Sequence, residues 1–141
     1  MKKLTIAASM VAIVLFAAAS HAAEQTETDR IDAAYSTCID KSGGVTADMH
    51  NCSGVAIDKM DKRLNLLYKG LLAKLPTPKQ TLLKNAQKKW LSYRTAEQDL
   101  SYALDPNEGG TLQTVSANGF AYDMLKRRVL SLEGYLMGLE L

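Results

Sequence analysis

The sequence predicts an all-α protein: a compact bundle of about four helices, with an antiparallel hairpin between the second and third helices and one disulfide. Apolar residues recur at spacings of three and four along most of the chain after residue 27, which is the period of amphipathic helices. Proline and glycine clusters interrupt this pattern at three places and mark the connections between helices. No segment of useful length alternates between apolar and polar residues, so the pattern indicates no β-sheet. A bundle is the natural way to bury four apolar stripes against one another.

Residues 1–22 have the features of a cleaved secretory signal. Two lysines precede a long apolar run, and Ser20 and Ala22 place small residues at the two positions that a signal peptidase reads. We therefore expect cleavage after Ala22, a mature protein in the bacterial periplasm, and a single folded domain over residues 23–141. The run is shorter than the roughly 20 apolar residues of a spanning helix. Retention as an anchor is thus the less favoured alternative, and we expect no stable membrane insertion.

Charge is balanced in the mature chain but unevenly distributed. The full chain has 17 Lys and Arg against 15 Asp and Glu, and the two lysines of the signal account for the whole excess. The apparent basicity is therefore no sign of an anionic partner, and we expect no nucleic-acid binding. Residues 58–94 carry ten basic and two acidic groups, whereas residues 95–108 carry four acidic groups and no basic one. Such runs are most often solvated helix faces.

Cys38 and Cys52 are the only cysteines, and an oxidising compartment favours a disulfide between them over a metal site. On one continuous helix the two residues would lie about 21 Å apart at 1.5 Å per residue, which is far beyond bonding reach. A disulfide therefore requires a chain reversal between them, and Gly43 and Gly44 are suited to it. Free or intermolecular thiols are the alternative.

The first two helices are predicted on either side of this reversal. The first covers Glu27 to Asp40, and the second begins near Thr46, which can act as its N-cap, and ends near Leu75. The second helix carries a continuous apolar stripe made of Ala56, Met60, Leu64, Leu67, Leu71 and Leu75. This stripe predicts a helix that is buried along one side over its whole length.

The clearest local signal separates the second and third helices. Pro76 ends one helix, and Pro78 suits the first helical position of the next. Thr77 lies between them as a good N-cap, and Gln80 would complete a capping box with it.

The third helix is predicted to bury one apolar face, made of Leu82, Ala86, Trp90, Tyr93, Leu100 and Leu104. A loop over residues 105–110 follows, because Asp, Pro, Asn and two glycines cluster there. The last helix is predicted over residues 116–138, with a buried side made of Phe120, Met124, Leu132 and Tyr135.

No arrangement of residues points to catalysis. His50 is the only histidine of the mature chain, and its position in the first turns of the second helix favours a surface role. The sequence has no glycine-rich phosphate loop, no nucleophile motif and no metal-ligand spacing. We therefore expect a protein that is not an enzyme and that needs neither a metal nor a cofactor.

Glu97 is the most unusual residue of the third helix, because it projects onto the same face as Trp90. A carboxylate on an apolar face needs a partner, since an unpaired buried charge is strongly destabilising. Arg94, three residues earlier, can reach it on a helix. A structural ion pair is the first interpretation. The alternative is a polar groove that Glu97 forms with Gln87, Arg94 and Gln98.

Three segments of the chain carry a recognisable pattern. They are Cys38 with Met49 and Cys52, then Leu64-Asn65-Leu66-Leu67-Tyr68, and then Ala86-Gln87-Lys88-Lys89-Trp90-Leu91-Ser92-Tyr93-Arg94-Thr95-Ala96-Glu97. In this order, and with the forms LNxxY and AQxxWxxYRxAE, they resemble the LprI-like lysozyme inhibitor family. The resemblance covers about residues 38–136, and the last motif is its most specific part.

The resemblance implies an envelope-binding protein in which six motif residues have structural roles: Asn65, Tyr68, Gln87, Trp90, Tyr93 and Arg94. It implies that Trp90 and Tyr93 lie in the core, that Asn65 forms a hydrogen bond beside Tyr68, and that Arg94 pairs with the following Glu. The chain also departs from the family, whose members often carry a further cysteine pair. Gln98 and the segment 118–120 stand in those places, so no second disulfide joins the last two helices.

The resemblance further implies inhibition of a lysozyme, or of another peptidoglycan-cleaving enzyme, by a protein contact that blocks the cleft. Because such enzymes are usually strongly basic, the inhibitor should present carboxylates that steer and dock. The candidate binding residues are Glu97, Asp99, Asp105 and Glu108. Two other functions stay open at this point. One is an immunity-type protein that neutralises a different periplasmic toxin or hydrolase, and the other is an envelope module that contacts anionic lipid or wall polymer through the basic residues between 59 and 94.

Overall fold

The computed structural model describes residues 26–140, and the predicted signal lies outside this part of the chain. The described residues form four α-helices and no strand. The helices are α1 (Glu27–Lys41), α2 (Thr46–Lys74), α3 (Thr77–Ala103) and α4 (Thr111–Met137). They pack into one bundle, which confirms the predicted all-α fold class.

α1 begins at a complete capping box and ends at a glycine pair. Thr26 Oγ1 accepts from Asp29 N at 3.1 Å, and the Asp29 carboxylate accepts from Thr26 N at 3.1 Å. After the C-cap Ser42, Gly43 and Gly44 adopt φ angles of +57° and +83°. Because a Cβ disfavours this left-handed region, the two glycines let the chain turn back sharply into α2.

The predicted disulfide is present and closes this reversal. Cys38 on α1 and Cys52 on α2 are bonded, and their Cα atoms lie 5.7 Å apart. The prediction of the chain reversal is therefore confirmed together with the bond that required it. The start of α2 differs slightly from the prediction: Val45 is the N-cap and Thr46 is the first helical residue, without a side-chain cap.

The junction between α2 and α3 lies at the predicted prolines, but its capping was predicted wrongly. Pro76 is the N-cap of α3 and Thr77 its first residue, and no side chain caps this helix. Gln80 Nε2 instead donates to the carbonyl oxygens of Leu72 and Leu75, both at 2.9 Å. Pro76 has no N–H to offer the Leu72 carbonyl, so Gln80 supplies the missing donor.

The core lies mainly between α2 and α4, which pack against each other more extensively than any other two helices. α2 contributes the predicted stripe. Leu75 is only partly buried, and the other members are buried: Ala56, Met60, Leu64, Leu67 and Leu71. α4 contributes Tyr122, Leu125, Val129 and Leu132, and α1 adds Ile31. Full burial of one such aliphatic side chain stabilises a fold by about 1.5–3 kcal/mol. The α2–α4 pair is therefore the structural centre of the bundle.

α3 turns a different face to the core from the one that its sequence predicted. Leu83 and Gln87 are its buried residues, and Trp90 is partly buried. The predicted face is largely in solvent, and the exposed fraction is 68% for Leu82, 55% for Tyr93, 53% for Leu100 and 72% for Leu104. Ala86 is exposed as well. The expected burial of this stripe is thus wrong for every member except Trp90.

α4 begins at Thr111, earlier than predicted. Met124 and Leu132 are buried and Phe120 is partly buried. Tyr135 is 57% exposed, so its predicted burial is wrong. Tyr135 lines the open groove between α4 and the first turns of α3.

α1 is anchored to α2 and α4 by a partly buried ion pair. Glu133 Oε1 accepts from Arg63 Nε at 3.0 Å and from Arg63 Nη2 at 2.8 Å, and Thr28 Oγ1 donates to the same oxygen at 2.5 Å. The Glu133 side chain is 13% exposed and the Arg63 side chain 24% exposed. One carboxylate oxygen therefore joins three helices.

A second polar cluster joins α1 to α4 near the middle of the bundle. Asp32 Oδ1 accepts from the Tyr122 hydroxyl at 3.0 Å, and Asp32 Oδ2 lies 2.7 Å from Lys126 Nζ. The hydrogen bond from Lys126 lowers the pKa of Asp32, and burial raises the pKa of the Tyr122 phenol. The Tyr35 and Tyr122 rings pack with their centroids 4.5 Å apart.

We expect acid to weaken the Asp32 cluster. The pKa of Asp32 in the folded protein lies below its ordinary value of 3.8. The carboxylate therefore stabilises the fold fully above that value, and this contribution is lost as the pH falls through the lower, folded-state pKa. Because the Asp32 side chain is 41% exposed, the contribution should be modest, roughly 0.5 kcal/mol.

Urea unfolding at a series of pH values between about 6 and about 3 measures this contribution. Asp32→Asn should lose less stability across the range than the wild type does. Asp58→Asn, which changes an exposed carboxylate of α2, is the matched control and should keep the wild-type pH dependence. The same change of unfolding free energy with pH in all three proteins would contradict the role assigned to Asp32.

Candidate functional site

The segment that connects α3 to α4 is a short loop of defined shape. Asp105 Oδ1 accepts from Asn107 N at 2.7 Å and from Asn107 Nδ2 at 3.0 Å. The backbone hydrogen bond from Asn107 lowers the pKa of Asp105, which keeps this carboxylate ionised. Gly110 N donates to Asn107 O at 2.8 Å, and Gly109 turns the chain with a φ of +73°. The loop therefore presents a fixed negative charge.

Gln113 closes this loop, and it was not among the residues predicted to be functional. Its Nε2 donates to Tyr102 O at 3.0 Å, and its Oε1 accepts from Gly109 N at 2.9 Å. The side chain is 4% exposed, so it joins the end of α3 to the loop from inside the fold. One signal could have identified it: Gln113 stands three residues after the N-cap Gly110, where a Gln side chain commonly reaches back to the preceding backbone.

The four candidate acidic residues lie at this end of the bundle but do not share one face. Asp99 and Glu108 are exposed, and Glu97 and Asp105 are partly exposed. Glu97 and Asp99 are two residues apart on α3, so their side chains point to nearly opposite sides of the helix. Glu97 therefore points away from Asp99.

We call residues 99–112 the acidic tip. This segment contains Asp99, Asp105 and Glu108 and no basic residue. It also exposes four large apolar side chains: Leu100 at 53%, Tyr102 at 46%, Leu104 at 72% and Leu112 at 48%. Exposed apolar groups surrounded by polar ones are typical of surfaces that bind other proteins.

His50 lies beside the acidic tip, in an open groove of about 580 Å³ that Tyr102 and Gly109 also line. Its Nδ1 lies 3.0 Å from Asn118 Nδ2, which also donates to Ser53 Oγ at 3.2 Å. His50 is exposed, as predicted. In the part of the chain that the structure describes, no three His, Cys, Asp or Glu side chains are grouped in a way that could hold a metal ion.

The AQxxWxxYR residues attach α3 to α4. Gln87 is buried, and its Oε1 accepts from Arg128 Nε at 3.0 Å. The guanidinium groups of Arg128 and Arg94 lie 5.8 Å and 5.7 Å from the centre of the Trp90 ring. Arg128 Nη2 is buried without a hydrogen-bond acceptor among the described residues, and the ring gives this cation its favourable contact. Burial also lowers the pKa of Arg128. These contacts set the rotation of α3 on the bundle.

Two roles expected within this motif are wrong. Arg94 does not pair with Glu97, because its guanidinium lies over Trp90 instead, and Glu97 forms no ion pair within residues 26–140. Trp90 is four residues before Arg94, and the cation–π contact replaces the expected salt bridge. Tyr93 is 55% exposed and does not belong to the core.

The LNxxY residues meet the AQxxW residues across the hairpin of α2 and α3. Asn65 and Tyr68 line one open groove of about 400 Å³ together with Gln87 and Trp90. The expected hydrogen bond of Asn65 is present on its own helix, since its Nδ2 donates to Asp61 O at 2.9 Å and to Asp61 Oδ2 at 3.0 Å. The two motifs are thus neighbours in space although they are separate in the chain.

The fold and these features define a class: a small, disulfide-bonded helical domain with an acidic, partly apolar end. None of the helices between residues 26 and 140 combines the length and apolarity needed to span a membrane. Residues 38–132, well over half of the chain, match the family described as lysozyme inhibitor LprI. The chain therefore belongs to the LprI lysozyme inhibitor family, as its motifs predicted. Comparison with curated proteins and with solved structures gives no match.

Proposed function

We propose that the mature protein is a periplasmic inhibitor that binds a lysozyme, or a related peptidoglycan-cleaving enzyme, and blocks its cleft. Membership of the LprI family supports inhibition at the level of the family. The acidic tip supports the more specific proposal of a binding surface, because this segment contains three carboxylates and four exposed large apolar side chains and no basic residue. Binding, and not catalysis, is the activity proposed for this surface.

We also propose that the protein is located in the periplasm. Residues 1–22 resemble a cleaved export signal, and an oxidising compartment suits the Cys38–Cys52 disulfide. A periplasmic inhibitor would meet a muramidase where peptidoglycan is exposed. The mature chain would then begin at Ala23.

The shape of the acidic tip supports contact with a basic enzyme. Carboxylates on an exposed end increase the rate of encounter with a positively charged partner and orient it. Asp105 is held by Asn107, and Gln113 holds the loop from inside. A loop that is already ordered loses little conformational entropy on binding. The exposed side chains of Tyr102, Leu104 and Leu112 then supply apolar area for the contact itself.

We expect the double variant Asp99→Lys/Glu108→Lys to inhibit lysozyme about tenfold more weakly than the wild type, since two favourable charge contacts become repulsive. Asp105 is left unchanged because it also shapes the loop. Clearing of a bacterial cell-wall suspension by c-type, g-type and i-type lysozymes is the assay. Inhibition should also weaken as salt rises past about 0.15 M, where the screening length is about 8 Å.

The matched control is Asp40→Lys/Asp58→Lys, which makes the same change of net charge at exposed residues of α1 and α2. This control should inhibit like the wild type. Absence of inhibition of every lysozyme class would refute the proposed function and favour an immunity-type role. Equal weakening by both double variants would refute the acidic tip as the binding surface.

A further inference from the structure

A long exposed apolar stripe runs along α3 and ends at the C-cap Leu104. Leu82, Tyr93, Leu100 and Leu104 are each more than half exposed, and Ala86 between them is exposed too. At 3.6 residues per turn these side chains fall within about 20° of Tyr93 around the helix, and the stripe is about 33 Å long. The core uses another side of α3, through Leu83 and Gln87. We call this surface the α3 stripe.

The α3 stripe is symmetric about Tyr93. Leu82 and Leu104 each lie eleven residues from Tyr93, and Ala86 and Leu100 each lie seven residues from it. The same symmetry relates two opposite charges, since Lys89 and Glu97 each lie four residues from Tyr93, and within about 40° of it around the helix. A stripe with this arrangement is complementary to itself when a second copy runs in the opposite direction.

We propose that the α3 stripe binds a second copy of this chain, with the two α3 helices antiparallel and Tyr93 at the two-fold axis. In a two-fold interface each contact occurs twice. Lys89 of each copy then faces Glu97 of the other, so two ion pairs border the centre. Glu97 is available for this contact, because it has no ion pair within the described residues of its own chain.

In this dimer, a groove at the Leu82 end of one α3 stripe contacts the Leu104 end of the α3 stripe of the second copy. Leu82 and Ala86 of α3 and Tyr135 and Leu139 of α4 line an open, mostly apolar groove of about 540 Å³. The symmetry brings Leu104 of the second copy opposite Leu82, and its Leu100 opposite Ala86. Two strongly exposed leucines therefore fill the groove, and the same contact repeats at the opposite end of the dimer. Burial of these side chains drives the association, while the charge pairs select the antiparallel orientation.

Self-association does not depend on the proposed lysozyme contact, although Leu100 and Leu104 belong to both surfaces. Self-association is measured without lysozyme, and inhibition is measured at concentrations at which the protein is monomeric. The dimer and the lysozyme contact are therefore tested separately, and either proposal can fail without the other.

Sedimentation equilibrium of the disulfide-bonded mature protein, from low micromolar to near-millimolar concentration, is the test. We expect reversible association to twice the chain mass. Lys89→Glu alone and Glu97→Lys alone should each raise the dimer dissociation constant by about tenfold, since two attractive pairs become repulsive. The double variant Lys89→Glu/Glu97→Lys should restore the wild-type constant, because the two charges exchange places across the axis.

Lys84→Glu is the matched control, since it reverses an exposed lysine on the opposite flank of α3. It should dimerise like the wild type, and circular dichroism should show the same helix content in all four variants. Tyr93→Glu, which places two like charges at the axis, should give a monomer. A wild type that stays monomeric at every concentration would overturn the proposal. Failure of the double variant to restore association, or equal weakening by Lys84→Glu, would overturn it as well.

Discussion

Replacing Glu133 by alanine is expected to lower the free energy of unfolding by about 3 kcal/mol, the low end of the range for breaking a buried ion pair. The change removes the acceptor of three hydrogen bonds, two from Arg63 and one from Thr28. It leaves the Arg63 guanidinium partly buried without its counter-charge, and it leaves the hydroxyl of Thr28, a residue that is 1% exposed, without an acceptor. The penalty arises mainly from these unpaired groups.

Two further variants separate this explanation from a general effect of removing a carboxylate. Glu133→Gln keeps an acceptor oxygen but not the charge, and it should lose about 1–2 kcal/mol. Glu140→Ala removes the partner of Lys74, in an ion pair whose side chains are 57% and 49% exposed. It should change stability by less than about 0.5 kcal/mol. Chemical denaturation of the three variants is the measurement, and equal losses for Glu133→Ala and Glu140→Ala would contradict the assigned role.

The double variant Cys38→Ala/Cys52→Ala is expected to lose about 2–4 kcal/mol of stability. The two residues are 14 positions apart, and the bond restricts the unfolded chain by closing that loop. The chain-entropy model gives about 3 kcal/mol for a loop of this size. Cys52 is also buried, so the alanine removes apolar packing in addition to the bond.

Urea unfolding of the oxidised wild type, the reduced wild type and the double variant tests this expectation. The reduced wild type and the double variant should have lower midpoints than the oxidised protein and should resemble each other. The glycine-pair turn and the polar anchors on Glu133 and Asp32 still hold α1 in both, so circular dichroism should show most of the helix content retained. An unchanged midpoint after reduction would show that the bond contributes little.

The main helices could be predicted from sequence because their signals are local and repeated. The stripe of α2 runs over about four turns from Ala56 to Leu71, and no competing face of that helix is apolar. The disulfide could be predicted as well, because the distance along a helix excludes bonding and Gly43-Gly44 permits the turn. Each of these inferences needs only residues that lie near one another in the chain.

The rotation of α3 could not be predicted in the same way. Two flanks of this helix carry apolar residues, and hydrophobic period alone favours the one with Leu82, Leu100 and Leu104. The fold instead turns Leu83 and Gln87 inward. The deciding contact joins Gln87 to Arg128, which is 41 residues away in the chain. A projection of α3 by itself contains no information about that partner.

The sequence predicted the composition of the acidic tip but not its conformation. The change of charge sign at residue 95 is visible in the sequence, and so is the glycine pair of the loop. The role of Gln113 is decided by the position of Tyr102 O, to which its Nε2 donates. The separation of Glu97 from Asp99 follows from helix geometry and removes Glu97 from the acidic surface.

The sequence by itself determined the helical class, the reversal that the disulfide closes, the family and the acidic segment, because periodicity, spacing and motif are properties of the chain. Only the tertiary structure decided which flank of α3 is buried, that Arg94 stacks on Trp90 in place of pairing with Glu97, and that Glu133 joins three helices. The physical reason is the same in each case. A polar side chain that can reach several partners takes the one that packing brings within hydrogen-bond or cation–π distance, and packing depends on helices far apart in the chain.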